Sequence, residues 1–233
     1  MSRDHAHEHR LRFAGNFHVL LVILLITIFL ESFAAESALI RELMRAGVLL
    51  TLLAALQVIA RSSAVRSTGR GILAVLVALE LARLIWSPGS SAPGESGIER
   101  FAVVLQLGTL AWLLILLAVS LLHMRRVNSR AISAALCGYL LIGLWFYLLY
   151  ASLPADWFRP LPSAGKRDDL FYFSFVTLTS LGYGDVTPAE PVTRSLAILE
   201  VVIGQFYLAV LIARQVGLYL AGRLSSDDSE EFE

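Results

Sequence analysis

The sequence holds a single cysteine, Cys137, which excludes a disulfide within one chain. Its place inside an apolar run makes it a small packing residue with no compartment signal. Charge is sparse as well. Charged residues are 16% of the 233 and sum to a formal net charge of +0, where soluble proteins carry about 25%. That balance argues against a nucleic-acid partner. No nucleophile–base constellation or metal-ligand spacing suggests catalysis, so neither an enzyme nor a bound cofactor is expected. What the chain has in excess is hydrophobic surface: 57% of residues with mean hydropathy +0.69, above the roughly 45–50% of soluble domains. It is gathered in long blocks, which makes the fold class all-α integral membrane rather than a large-cored globule.

Six segments are candidates to span a bilayer, roughly Phe17 to Phe33, Leu39 to Ala60, Gly71 to Trp86, Phe101 to His123, Ala131 to Leu153 and Val192 to Leu220. Spanning needs about 20 residues at about 1.5 Å each. The last three meet that length on their own; the first three are shorter or interrupted by charge. Arginines cluster before the first segment (Arg3, Arg10, Arg12), after the second (Arg61, Arg66, Arg70) and after the fourth (Arg125, Arg126, Arg130). The alternate loops are Gly/Ser/Pro-rich (87–100) or carry three prolines (154–167). Cytoplasmic loops gather Lys and Arg, so both termini are expected in the cytoplasm of a multi-pass protein of the plasma (inner) membrane.

Two readings of the N-terminus stand. The basic start, the apolar run Val19 to Leu30 and Ser32-Phe33-Ala34 fit a cleavable signal peptide. A retained helix is preferred, because removing it would leave an odd number of spans. His5, His7 and His9 fit either a metal or proton sensor or, preferred, a solvated terminus. Residues 224–233 are acidic and expected to be disordered. No soluble ligand-gating domain is expected after the last helix.

The stretch Thr179-Ser180-Leu181-Gly182-Tyr183-Gly184-Asp185 lies between two apolar segments. It resembles the selectivity filter of potassium channels, Thr-Val-Gly-Tyr-Gly-Asp, with Ser180 for threonine and Leu181 for valine or isoleucine. The resemblance identifies the chain as similar to prokaryotic six-transmembrane potassium channels of the tetrameric P-loop superfamily. In such channels backbone carbonyls replace the water of a potassium ion, which here implies ion sites at Ser180, Leu181, Gly182 and Tyr183, with Gly184 completing the filter. Gly182 and Gly184 supply positive φ without a Cβ penalty. The Ser180 hydroxyl adds a ligand at the inner end, and Asp185 holds the outer end by hydrogen bonds. Neither substitution removes an ion ligand, so potassium is expected as the permeant ion.

The preceding Asp169 to Leu178 is too short to span and reads as a pore helix whose carboxyl end favours a cation. By the resemblance, Thr179 supports the filter and Tyr172 and Phe173 brace its tyrosine; packing of Phe171 to Phe175 in lipid is the plainer reading. Gly204, 19 residues after Asp185, stands where relatives have a gating hinge, and close packing explains it equally. The same correspondence puts Gln205, Leu208 and Ile212 along the cavity and Arg214 near the cytoplasmic mouth. Glu200, costly inside an apolar helix, requires a partner: Ser174, Thr177 or the fifth segment. It either tunes the filter or is a structural pairing. The glutamate that some relatives carry behind the filter falls at Val176 here and is absent.

One chain carries one filter loop, and a closed ring needs four, so a homotetramer is expected. The domain reading is a cytoplasmic N-terminus (1–16), a four-helix voltage-sensor-like unit (17–123), a cytoplasmic linker (124–130), a pore domain (131–223) and the tail (224–233). Within the pore domain lie an outer helix (131–153), a pore helix (169–179), the filter (180–185) and an inner helix (192–222). Gating arginines are missing, since no charge lies between Phe101 and Leu122, and Glu80 and Arg83 fall on one helical face where they can pair. Voltage sensing is therefore expected to be weak or absent. The rival reading is a non-conducting scaffold or modulatory subunit; a transporter is a third.

Overall fold

In the computed structural model, residues 17–31, 54–55, 63–86, 97–122, 129–160 and 168–230 are described. Long apolar runs free of proline become helices, since a helix alone satisfies its backbone where water is scarce. In chain order these are α1 (Phe17–Glu31), α2 (Ser63–Trp86), α3 (Gly97–Leu122), α4 (Ser129–Ala151), α5 (Asp168–Leu178) and α6 (Pro191–Glu230).

Three of them are long and apolar enough to cross a membrane, over Phe101–Leu122, Ala131–Ala151 and Pro191–Leu218. The described residues of α1, Phe17–Glu31, rise about 22 Å, and the residues flanking them lie outside the described ones. Most of the expected segment Leu39 to Ala60 lies outside the described residues, as do His5, His7 and His9. Helix α2 starts at Ser63 and takes in Arg66 and Arg70, well before the expected Gly71, because the stretch has no proline and polar residues there tolerate helix.

Helix α4 is the hub, packed against α1, α3, α5 and α6. Leu20 and Leu24 of α1, Leu110, Leu113 and Leu117 of α3, and Leu141 and Leu144 of α4 are buried together. Polar ties fix the register. Trp145 Nε1 donates to the Leu107 carbonyl at 3.1 Å. Ser133 Oγ lies 2.7 Å from His18 Nδ1, and Cys137 Sγ donates to the Phe17 carbonyl at 3.5 Å.

Before Pro154, α4 ends and a single 3-10 turn, Ala155–Trp157, leads into strand β1 (Phe158–Arg159). It pairs antiparallel with β2 (Thr187–Pro188), Phe158 opposite Pro188 and Arg159 opposite Thr187. This ribbon, unforeseen in the sequence, pins the chain after α5 to the chain after α4. Ala189 N also donates to the Trp157 carbonyl at 2.8 Å.

The stretch expected to be disordered, 224–233, is described as far as Glu230. Helix α6 runs on to Glu230. After Gly222 no glycine or proline interrupts the chain, and adding a residue to an existing helix is far easier than nucleating one.

Candidate functional site

Helix α5 has 11 residues, about 16 Å, and stops where the Thr179–Asp185 loop begins. Its last carbonyls are not left bare. Thr179 N donates to Phe175 O at 3.1 Å and Ser180 N to Thr177 O at 2.9 Å. Val176 O then receives two donors, Leu181 N at 2.9 Å and Gly182 N at 3.3 Å. Tyr139 of α4 donates its hydroxyl to Leu178 O at 3.1 Å. The loop thus grows out of a capped helix end rather than hanging from it.

Within the loop the backbone handedness alternates. Ser180, Gly182 and Gly184 have φ of 59°, 56° and 78°, and Leu181 and Tyr183 between them do not. In an ordinary strand successive carbonyls point to opposite sides; a left-handed residue at every second position turns them toward one side. Gly182 and Gly184 adopt this at little cost. Ser180 bears a Cβ there, a conformation costing about 1–2 kcal/mol, and strain of this kind collects at functional sites. The sequence singled out the two glycines and missed Ser180, for which residue type alone gives no signal.

The tyrosines flanking the loop meet. Tyr172 and Tyr183 stack with centroids 6.5 Å apart and an interplanar angle of 3°. Asp185 Oδ1 accepts from Val186 N at 3.0 Å. Phe173 faces the other way, buried against Tyr150 and Phe158, so its support reaches Tyr183 only through α5. One residue along a helix is about 100° of rotation, and the two neighbours cannot share a face. Thr179 returns its hydroxyl to Phe175 O at 2.7 Å.

Helix α6 packs behind and below. Gln205 Nε2 donates to Ser180 Oγ at 2.9 Å, Leu208 is half-buried, and Ile212 is exposed. Gly204 is buried, and a Cβ there would lie 2.7 Å from Leu178 Cδ1 and 3.0 Å from Leu178 O. The helix continues unbroken through it. Of the two readings of Gly204, close packing is the one this geometry displays.

Glu200 is fully buried. Its Oε2 accepts from the Tyr150 hydroxyl at 2.8 Å, and its Oε1 lies 2.6 Å from Ser174 Oγ. Ser174 Oγ is also 2.9 Å from the Gly143 carbonyl. One carboxyl therefore joins α4, α5 and α6. Ser174 was among the expected partners; Tyr150 and Tyr139 were not singled out. The available signal was their spacing, 11 residues apart, about three helical turns, which puts two polar-tipped rings on one face of α4.

The loop is open to solvent in the single chain, with Tyr183 68% and Leu181 55% exposed. Along α6, Ile198 and Phe206 are 66% and 67% exposed. Among the described residues no group of histidine, cysteine and carboxylate side chains is placed to hold a metal ion.

A family model described as "Ion channel" matches residues 134–219, which hold most of α4, the ribbon, α5, the loop and most of α6. The chain is 36% identical over 108 residues to Protein LctB of Geobacillus stearothermophilus, covering 42% of this chain and 78% of that protein. It is 35% identical over 85 residues to Two pore potassium channel c of Oryza sativa subsp. japonica, covering 36% of this chain and 18% of that protein. Two-pore potassium channel 4 of Arabidopsis thaliana is 34% identical over 84 residues, 35% of this chain and 30% of that protein. The chain thus spans less than a third of either plant relative. With the ion-channel model matched from α4 to α6 and a relative covered over most of its length, the chain belongs to the ion-channel family.

Proposed function

We propose that this protein is a passive, potassium-selective channel built from four copies of the chain. The alternating backbone of Ser180, Gly182 and Gly184 carries the reading, because it gives a short run of carbonyls facing one way, the arrangement that can replace a cation's water. One loop supplies one side of such a ring. Four are needed, and the bare apolar surface of α6 offers contact area for neighbouring copies. The printed names of the two plant relatives place potassium among the ions their proteins handle.

On this reading ions shed water at Ser180 to Tyr183 and advance by mutual repulsion. Asp185 and Tyr172 hold the outer end, and Gln205, Leu208 and Ile212 line the cavity below. Six spans, both termini in the cytoplasm and residence in the plasma (inner) membrane complete the proposal. The helices before residue 123 contribute weak voltage sensing or none.

The test is potassium against sodium flux into liposomes containing the purified protein, beside Gly182→Ala and with the particle mass measured in parallel. Potassium-selective flux from a tetramer, lost in Gly182→Ala, is the expected result. Equal flux of the two ions overturns the selectivity, and a monomeric particle without flux overturns the channel.

A further inference from the structure

Ser174 stands between two acceptors. Its Oγ is 2.9 Å from the Gly143 carbonyl and 2.6 Å from Glu200 Oε1, and a hydroxyl carries one proton. Were Glu200 a carboxylate, one of these two close oxygen–oxygen contacts would have no hydrogen between them. Tyr150 cannot supply it, because its proton is already directed at Glu200 Oε2 across 2.8 Å. All three residues are fully buried, so water has no access to mend the deficit.

We propose that Glu200 stands as a neutral carboxylic acid, its Oε1 proton donated to Ser174 Oγ, and in that form fastens the pore helix to both long helices. Every hydrogen bond then has its donor: Tyr150 to Glu200 Oε2, Glu200 Oε1 to Ser174, and Ser174 to the Gly143 carbonyl. The chain of bonds runs from α6 through α5 into α4, one turn before α5 ends. Buried polar networks of this kind fix a unique packing only when every member is satisfied. The titratable groups facing Glu200 are the phenols of α4: Tyr150, which hydrogen-bonds it, and Tyr139, which feels its charge. Among the described residues no cation is placed to neutralise it: α5 brings no basic residue, and the arginines of α6, Arg194, Arg214 and Arg223, stand six or more residues from Glu200 along the helix. A neutral acid also avoids the cost of a bare charge at membrane depth. Glu200 is a positioning residue: it touches no ion and acts through Ser174 on the helix that carries the loop.

The experiment is infrared spectroscopy of the full-length protein in liposomes in heavy water at neutral pH, wild type against Glu200→Gln, with potassium flux measured on the same samples. Among the described residues Glu200 is the one buried carboxyl, so exposed carboxylates do not contribute to a protonated C=O stretch. We expect that band in the wild type and its absence in the variant. The glutamine amide reproduces one donor toward Ser174 and one acceptor toward Tyr150. Glu200→Gln should therefore assemble and keep flux within about twofold, whereas Glu200→Ala, which strands the buried Tyr150 hydroxyl and leaves Ser174 Oγ without its donor, should lose about tenfold or more. No protonated band in the wild type overturns the assignment. So does a Glu200→Gln protein that fails to assemble or to conduct while the wild type conducts. The flux arm rests on the channel reading. The infrared band does not, so a non-conducting wild type that shows the band removes the channel and leaves the proton in place.

Discussion

Gln205 donates its side-chain amide to the hydroxyl of Ser180 across 2.9 Å, joining the inner helix to the one non-glycine residue of the loop held at positive φ. The bond stabilises a conformation that serine otherwise avoids. A net contribution of about 0.5–1.5 kcal/mol per bond is comparable with the strain it offsets. Replacing Gln205 with leucine keeps the bulk and removes the donor. The potassium-to-sodium permeability ratio, read from reversal potentials, should fall several-fold while the tetramer persists. An unchanged ratio would mean that the bond is incidental to the loop.

Gly204 answers a different question. Alanine there would force Leu178 aside, side chain and carbonyl both, since the added Cβ comes within 2.7 Å and 3.0 Å of them. Overpacking of this kind costs about 1–3 kcal/mol. Gly204→Ala should lower the thermal midpoint of the tetramer, and Leu178→Ala in the same chain should recover part of the loss. A hinge would behave otherwise: open probability would change with little loss of stability and no rescue by Leu178→Ala.

The pore half was legible because its chemistry restricts residue type. Gly182 and Gly184 announce positive φ, and an apolar helix carrying Glu200 announces a buried partner. Ser174 was reachable by its place on α5, whereas Tyr150 and the Phe158–Arg159 ribbon with Thr187–Pro188 are tertiary pairings, between residues close in space and far apart in sequence. The strain at Ser180 was invisible because the side chain does not dictate it; its surroundings do. Phe173 was grouped with Tyr172 by adjacency, which a helix converts into different faces about 100° apart. The first half was read from helix count and charge, signals too coarse to place side chains.

Voltage should have little grip on the pore. Helix α3 carries no charge from Phe101 to Leu122, and a single charge crossing the full field is worth about 2.3 kcal/mol per 100 mV. With none on that helix to move, conductance in symmetrical potassium should stay nearly constant across positive and negative potentials. A steep sigmoid in planar-bilayer recordings would show that charge elsewhere in the chain moves on opening.

Gly182 separates space from conformation. An added Cβ would meet nothing within 4 Å in the single chain, yet its φ of 56° penalises an L side chain by about 1–2 kcal/mol. In the proposed ring of four that penalty falls once in each copy, beside the one Ser180 already carries. Gly182→Ala should therefore abolish potassium selectivity through backbone angle alone. A semisynthetic chain with D-alanine at 182, whose preferred φ is positive, should keep selective flux close to that of glycine. If the two alanines fail alike, neighbouring copies crowd the position and sterics decide; if only the L form fails, handedness at this residue is what the glycine provides.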